Sequence, residues 1–110
     1  MGMQNWSDGI VVVDLPAEPD MRDDLKAVTE MVREKGNFDV VMDFADVDII
    51  TSSSLSSLLK LQKMLSDCGH RLVLCGVAAA TKSVFEVTGI DEIFEFSNDK
   101  FMALAGLQLV

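Results

Sequence analysis

Short apolar runs alternate along this chain with segments in which apolar residues recur every three or four positions. The runs are rich in Val, Ile and Leu and have the length of strands, whereas the recurring pattern is typical of amphipathic helices. Strands are predicted at residues 10–15, 38–44, 71–75 and 93–96. The second run has an uninterrupted apolar centre at residues 40–42, which indicates a strand covered on both faces.

Helices are predicted between these strands, at residues 21–35, 53–67 and 78–88, and after the last strand up to about residue 107. Asp20 is the expected N-cap of the first helix, and Ser97 or Asn98 is the expected N-cap of the last. In the last helix we expect the apolar face to include Phe101 and Ala105.

This alternation predicts an α/β domain with a mixed sheet of four or five strands and about four helices. A length of 110 residues suits one domain, so residues 1–110 are interpreted as a single unit. Eight apolar side chains are expected in its core: Val12, Val41, Leu55, Leu58, Leu72, Leu74, Val84 and Leu104.

Acidic residues outnumber basic ones by 18 to 9, which gives a net charge of −9. This charge disfavours nucleic acids and anionic membrane surfaces as partners, because both are bound by basic patches, and it leaves a basic protein partner open. No apolar run approaches the roughly 18 residues of a spanning helix, and the first eight residues do not resemble a signal peptide. We therefore expect a cytoplasmic protein without direct membrane insertion.

The two cysteines, Cys68 and Cys75, could form a disulfide or remain free thiols in a reducing compartment. A chain of this length buries about two-thirds of its surface on folding, so its core needs no covalent staple. We expect both thiols to be reduced.

Signatures of catalysis are sparse. The sequence contains no glycine-rich phosphate loop, no dinucleotide fingerprint and no Gly-x-Ser-x-Gly turn, and His70 is its single histidine. Asp43, Asp46 and Asp48 could bind Mg²⁺, but this spacing is more typical of a solvated acidic loop. We predict no catalytic residue, no cofactor and no metal site.

Six of the seven residues at 51–57 carry a hydroxyl group. One or two hydroxyls suffice to cap a helix, so the excess indicates a further role. A phosphate added here would lie at a helix N-terminus, where backbone amides and the helix dipole favour negative charge. It would bring about −1.5 to −2 further charges and could repel a partner without unfolding the domain.

Two neighbouring segments, residues 43–47 (Asp-Phe-Ala-Asp-Val) and 50–55 (Ile-Thr-Ser-Ser-Ser-Leu), resemble the central motif of STAS domains, the family of bacterial anti-sigma factor antagonists and their relatives. In that family a strand ends in Leu/Met-Asp-Leu/Phe, and Asp-Ser-Ser-Gly-Leu then opens a helix. The order of the later elements agrees, so the resemblance covers about residues 10–107. Residues 6–8 leave little room for the usual first strand of the family.

The resemblance implies that Ser53 is the phosphoacceptor, with the preceding Ser52 as the alternative. Thr51 and Ser54 stand where the family usually has Asp and Gly, and Ser56 replaces a second common glycine. A partner-binding loop is therefore expected at Thr51, Ser52, Ser54 and Ser56. Its partner would be a serine-kinase anti-sigma factor or another regulatory protein.

The geometry of this loop can be predicted from its sequence. We expect Thr51 or Ser52 to cap the second helix, and Ser53 to be exposed in the first turn. The amides of residues 54–56 should have no partner within the helix. The surrounding surface should be apolar or small-sided, as the centre of a docking surface usually is.

Three functions are compatible with these features. The first is a switch that holds a serine-kinase anti-sigma factor until Ser53 is phosphorylated. The second is a scaffold or accessory subunit that binds its partner constitutively, in a signalling assembly or a transporter. The third is an enzyme with a serine nucleophile, for which the chain offers as activating bases only His70, Lys60, Lys63 and carboxylates.

Overall fold

The computed structural model of the chain describes residues 2–7 and 9–108. Within these residues the strands are β1 (Gly2–Ser7), β2 (Ile10–Asp14), β3 (Asp39–Asp43), β4 (Leu72–Cys75) and β5 (Glu95–Ser97). The helices are α1 (Asp20–Glu34), α2 (Ser52–Asp67), α3 (Ala79–Val87) and α4 (Lys100–Gln108), with one 3₁₀ turn at Asp91–Ile93.

The five described strands form one sheet in the order β1-β2-β3-β4-β5. β2 to β5 are mutually parallel, and β1 pairs antiparallel with β2. Each parallel connection contains a helix, because parallel neighbours can be joined only by a crossover. This architecture confirms the predicted α/β fold with a mixed sheet.

The first strand, β1, is missed by the sequence pattern, and the expectation that residues 6–8 leave little room for it is wrong. β1 is an edge strand that pairs with β2 alone, and five of its six residues are exposed. Trp6 lies within it at 44 % exposure. An edge strand with both faces near solvent has no alternation of apolar and polar residues by which to recognise it.

The parallel strands alternate their side chains between two cores, one on each face of the sheet. α1, α2 and α3 cover the face that carries Val11, Val13, Val40, Met42, Leu72 and Leu74. α4 covers the opposite face, with Ile10, Val12, Val41, Val73 and Cys75. Burial on both faces explains why these strands are continuous apolar runs.

Six of the eight predicted core residues are buried, namely Val12, Val41, Leu58, Leu72, Leu74 and Leu104. The prediction is wrong for Leu55, which is only half-buried at the edge of the core, and for Val84, which is 38 % exposed. The buried stripe of α2 begins instead at Ser54 and continues through Leu58.

The two C-terminal helices are rotated relative to the predicted stripes. α3 buries Phe85, whose ring stacks edge-on against Phe94 with centroids 5.3 Å apart. A phenyl ring removes more apolar area from water than Val84 does, so it determines which face turns inward. In α4 the buried residues are Ala103, Leu104 and Leu107, while Phe101 is 75 % exposed and Ala105 also faces solvent.

The predicted N-caps of α1 and α4 are also wrong. Pro19 holds the cap position of α1, and Asp20 is the first helical residue, where its charge still favours the helix dipole. For α4, Asp99 rather than Ser97 or Asn98 caps the helix, because its Oδ1 accepts the Met102 amide at 2.9 Å. Asp and Ser are comparable caps, so the start of the helix, not the residue type, decides between them.

The remaining local predictions need two adjustments. Residues 91–93 form a 3₁₀ turn, so the fourth predicted strand begins only at Glu95. Cys68 and Cys75 are both free thiols, as expected.

Candidate functional site

The hydroxyl cluster lies where β3 leaves the sheet and the chain turns into α2. Phe44 anchors the start of this connection, because its amide donates to the Cys75 carbonyl at 2.9 Å and its side chain is buried. Thr51 then caps α2, since its Oγ1 accepts the Ser54 amide at 3.1 Å. The prediction of a capping hydroxyl at residue 51 or 52 is confirmed.

Ser53 is exposed in the first turn of α2, as is the preceding Ser52. The prediction that the amides of residues 54–56 lack helical partners is wrong, because the Leu55 amide already donates to the Thr51 carbonyl at 2.9 Å. The helix begins one residue earlier than expected. The first-turn amides without a partner among the described residues are those of Ser52 and Ser53.

A glutamate from before α1 completes the start of α2. Glu18 Oε2 accepts the Thr51 amide at 3.0 Å and the Ser54 hydroxyl at 2.8 Å. Burial disfavours the charged form of this carboxylate, but the hydrogen bonds from Ser54 and Thr51 outweigh it, with help from Arg22, and lower the pKa of Glu18. Glu18 is the site residue that sequence reasoning missed, because it lies 36 positions from Ser54 and belongs to no local motif.

Ser54 differs from the other three residues of the expected partner-binding loop, because it is buried. Ser54 is 1 % exposed and its hydroxyl is directed to Glu18, so it shapes the loop from inside. Thr51, Ser52 and Ser56 do face solvent. The Ser54 hydroxyl therefore binds Glu18 inside the fold, whereas a partner can reach the exposed residues of this segment.

The surface beside Ser53 is charged rather than apolar, which corrects a further expectation. Ser53 and Ser57 line a groove of about 490 Å³ between α1 and α2, with Arg22, Lys26 and Lys60 around them. An amphipathic helix turns its apolar side chains toward the sheet and its polar side chains toward solvent. The outer surface between the neighbouring helices α1 and α2 is therefore polar. Near the cluster the exposed apolar side chain is Ile49, at 72 % exposure.

The candidate catalytic histidine lies far from the serines. His70 follows the C-terminus of α2, where its Nδ1 is 3.1 Å from Asp39 Oδ1. α2 spans 16 residues and is about 24 Å long, and Ser53 and His70 lie at its opposite ends. The geometry does not bring Ser53 and His70 together as a nucleophile and its base.

The acidic residues at the carboxyl ends of the strands are engaged within the fold. Lys100 Nζ lies 2.9 Å from Asp14 Oδ1 and 3.7 Å from Asp43 Oδ2, and so attaches α4 to β2 and β3. Asp43 Oδ1 also accepts the Ala45 amide at 2.9 Å. Residues 2–7 and 9–108 contain no group of three or more His, Cys, Asp or Glu side chains that could hold a metal ion.

Comparison with known proteins places this fold. The STAS domain family model matches residues 8–101. BtrV of Bordetella bronchiseptica, which is named as an anti-sigma factor antagonist, is 33 % identical over 75 residues. That match covers 68 % of this chain and 65 % of the relative, so the chain spans slightly less than two thirds of that protein.

Two solved structures share the fold over nearly their whole length. A Thermotoga maritima protein described as an anti-sigma factor antagonist superposes with a TM-score of 0.82 at 19 % identity, covering 96 % of this chain and 92 % of the other. The phosphorylated form of the Bacillus cell fate determinant SpoIIAA gives a TM-score of 0.73 at 15 % identity, with 96 % of each chain covered. Among the described helices of this chain, none is long and apolar enough to cross a membrane.

Proposed function

The chain belongs to the STAS domain family, and on that premise we propose that it is an anti-sigma factor antagonist-like regulatory protein switched by phosphorylation of Ser53. Its partner in this proposal is a serine-kinase anti-sigma factor. The unphosphorylated domain holds the kinase, and the phosphorylated domain releases it. It acts by binding, and no step of the cycle requires a catalytic group of this chain.

The observation that carries the proposal is the position of Ser53. Its hydroxyl is exposed in the first turn of α2, so the active site of a kinase can reach it without unfolding the domain. The amides of Ser52 and Ser53, which have no partner among the described residues, and the positive end of the helix dipole favour a phosphate at this place. Ser52 is exposed as well and is the alternative acceptor.

The transfer itself follows ordinary phosphoryl chemistry. The Ser53 Oγ attacks the γ-phosphorus of ATP bound to the kinase, the bond to the β,γ-bridging oxygen breaks and ADP leaves. The hydroxyl proton passes to a base of the kinase. The product carries about −1.5 to −2 added charges on a chain whose net charge is already −9, so an acidic contact on the partner would be repelled.

The test is phosphorylation of the purified chain by a cognate serine-kinase anti-sigma factor, with ATP, followed by mass spectrometry of its peptides. We expect one phosphate on Ser53 and its loss in Ser53→Ala. Ser66→Ala is the matched control, because Ser66 is exposed at the other end of the same helix, outside the expected partner-binding loop, and its loss should leave incorporation unchanged. Phosphate that persists in Ser53→Ala but is lost in Ser52→Ala would move the acceptor by one residue. No incorporation at either position would overturn the switch.

A non-switching scaffold or accessory subunit is the second candidate, and one observation favours it. The Glu18 carboxylate already provides a negative charge at the start of α2, within 3.0 Å of the Thr51 amide. A loop held in this way can present a constant surface to a partner in a signalling assembly or a transporter. Such a scaffold would bind equally well with and without a charge at residue 53.

A further inference from the structure

The groove between α1 and α2 has the opposite charge balance to the rest of the chain. Four of the nine basic residues line it, Arg22, Lys26, Arg33 and Lys60, but only two of the eighteen acidic ones, Asp23 and Glu30. In a protein with a net charge of −9, this concentration of cations marks a local site that favours anions.

Within the described part of the chain, three of these cations have no ion-pair partner. Arg33 is paired with Glu30 at 2.6 Å, whereas Arg22, Lys26 and Lys60 form no ion pair with any described residue. All three are exposed. Their charges are therefore available to an anion that enters the groove.

Ser53 lines the same groove as these side chains. Ser53, Ser57 and Lys60 follow one face of α2 at intervals of four and three residues, and Arg22 and Lys26 follow the facing side of α1. The first turns of the two helices are neighbours, because Glu18, just before α1, binds Thr51 and Ser54. Arg22 is close enough to this contact to favour the charged form of Glu18.

We propose that Arg22, Lys26 and Lys60 form an intramolecular clamp that binds the phosphate on Ser53. This inference rests on the proposed function, since it assigns a role to the phosphorylated state of the same serine. The facing groups of opposite effect are the carboxylates of Glu18, Asp23 and Glu30, the last of which is paired with Arg33. Against them stand Arg22, Lys26 and Lys60, which form no ion pair with a described residue, and the Ser52 and Ser53 amides, so the balance at the groove favours a phosphate group.

The clamp would explain how phosphorylation weakens the binding of a partner. A phosphate held in the groove neutralises its cations and covers the surface between α1 and α2. A partner that uses this groove would therefore lose both its electrostatic attraction and its access, and the helices would keep their places. The phosphate on Ser53 would then have a fixed position in the groove and would not move freely on the surface of the domain.

The test installs phosphoserine at residue 53 of the full chain by genetic encoding, so that no kinase is needed. Phosphorus NMR then follows the second ionisation of the phosphate, whose ordinary pKa is about 6. We expect this pKa to be lowered by up to about one unit at low ionic strength, because opposite charges favour the dianion. The shift should shrink in high salt, which screens exposed charges.

Variants separate the clamp from a general charge effect. Lys60→Ala and Arg22→Ala should each reduce the amount by which the phosphate pKa is lowered. Lys63→Ala is the matched control, because Lys63 lies one turn further on α2 and pairs with Asp67 at 3.3 Å, outside the groove. An ordinary phosphate pKa in the phosphoserine protein without further substitutions would overturn the clamp. Equal effects of Lys60→Ala and Lys63→Ala on that pKa would overturn it as well. The kinase assay is independent of this titration, so failure of the switch and failure of the clamp give different results.

Discussion

The Glu18 carboxylate accepts the Ser54 hydroxyl at 2.8 Å and thereby joins the segment before α1 to the first turn of α2. The same oxygen accepts the Thr51 amide, so one carboxylate holds both the cap residue and the third residue of the helix. Ser54 is buried at this contact, and the neighbouring Ser53 is left facing solvent. The position of the proposed phosphoacceptor thus depends on a residue far from it in the chain.

Removal of this carboxylate should loosen the start of α2. We expect Glu18→Ala to lower the free energy of unfolding by about 1–2 kcal/mol, because it removes a charged acceptor and leaves the buried Ser54 hydroxyl without one. Glu18→Gln keeps an acceptor oxygen and should cost less. Urea denaturation at neutral pH measures the difference. Glu34→Ala, at an exposed position late in α1, is the control and should change little.

The pH dependence of this contact follows from the direction of its pKa shift. The pKa of Glu18 is lowered in the folded protein, so the contact stabilises the fold above the ordinary value of 4.5 and is lost as the pH falls through the folded value. The stability difference between the unsubstituted chain and Glu18→Ala should therefore be constant near neutral pH and shrink below pH 4.5. A difference that grew with acidification would contradict this assignment.

A negative charge at residue 53 should separate the switch from the scaffold. We expect Ser53→Asp to shift the melting temperature by no more than a few degrees, as is usual for exposed positions. In a switch it should weaken partner binding at least tenfold, or about 1.4 kcal/mol, in a calorimetric titration. Ser66→Asp places the same charge on an exposed residue at the other end of α2 and should leave affinity unchanged. Equal affinities for both variants and the unsubstituted chain would favour the scaffold.

The register of α2 predicts unequal costs for two of its leucines. Leu58 is fully buried, and its truncation to Ala should lower the free energy of unfolding by about 2–5 kcal/mol. Leu55 is only half-buried at the edge of the core, so Leu55→Ala should cost clearly less. Chemical denaturation of both variants makes the comparison. Equal costs would place Leu55 in the core and contradict the observed register.

The two cysteines should differ in reactivity. Burial raises the pKa of the Cys75 thiol to about 12, with the nearby Asp43 charge acting in the same direction, whereas Cys68 is exposed. Since the thiolate is the reactive form, a thiol reagent at neutral pH should modify Cys68 quickly and Cys75 only after denaturation. Mass spectrometry of labelled Cys68→Ser should show no modification under native conditions. Rapid labelling of Cys75 in that variant would contradict its burial.

Much of the fold was readable from the order of residues. The central strands are predicted because burial on both faces demands uninterrupted apolar runs, as at residues 40–42. α2 is predicted because Thr51 or Ser52 can cap it and Leu55, Leu58, Leu59 and Leu65 follow at helical spacing. The family resemblance added Ser53, with Ser52 as the alternative, since the motif at residues 50–55 is local.

The errors share a physical cause. An edge strand such as β1 buries too little to show a pattern, and it forms because β2 offers a free edge. Val84 and Phe101 are apolar residues on helices that have two candidate stripes, and the stripe that packs depends on the shape of the sheet beneath. Periodicity identifies a helix but does not orient it when apolar residues lie on several sides.

The sequence by itself determined the α/β class, the strand-to-helix loop and the serine at the start of α2, because each depends on neighbouring residues and their intrinsic preferences. Only the tertiary structure decided that Glu18 would bind Ser54 and that Arg22 and Lys26 would face Ser53 and Lys60 across a groove. These contacts join residues more than thirty positions apart. The parallel sheet creates them, since it places α1 and α2 side by side with their first turns together.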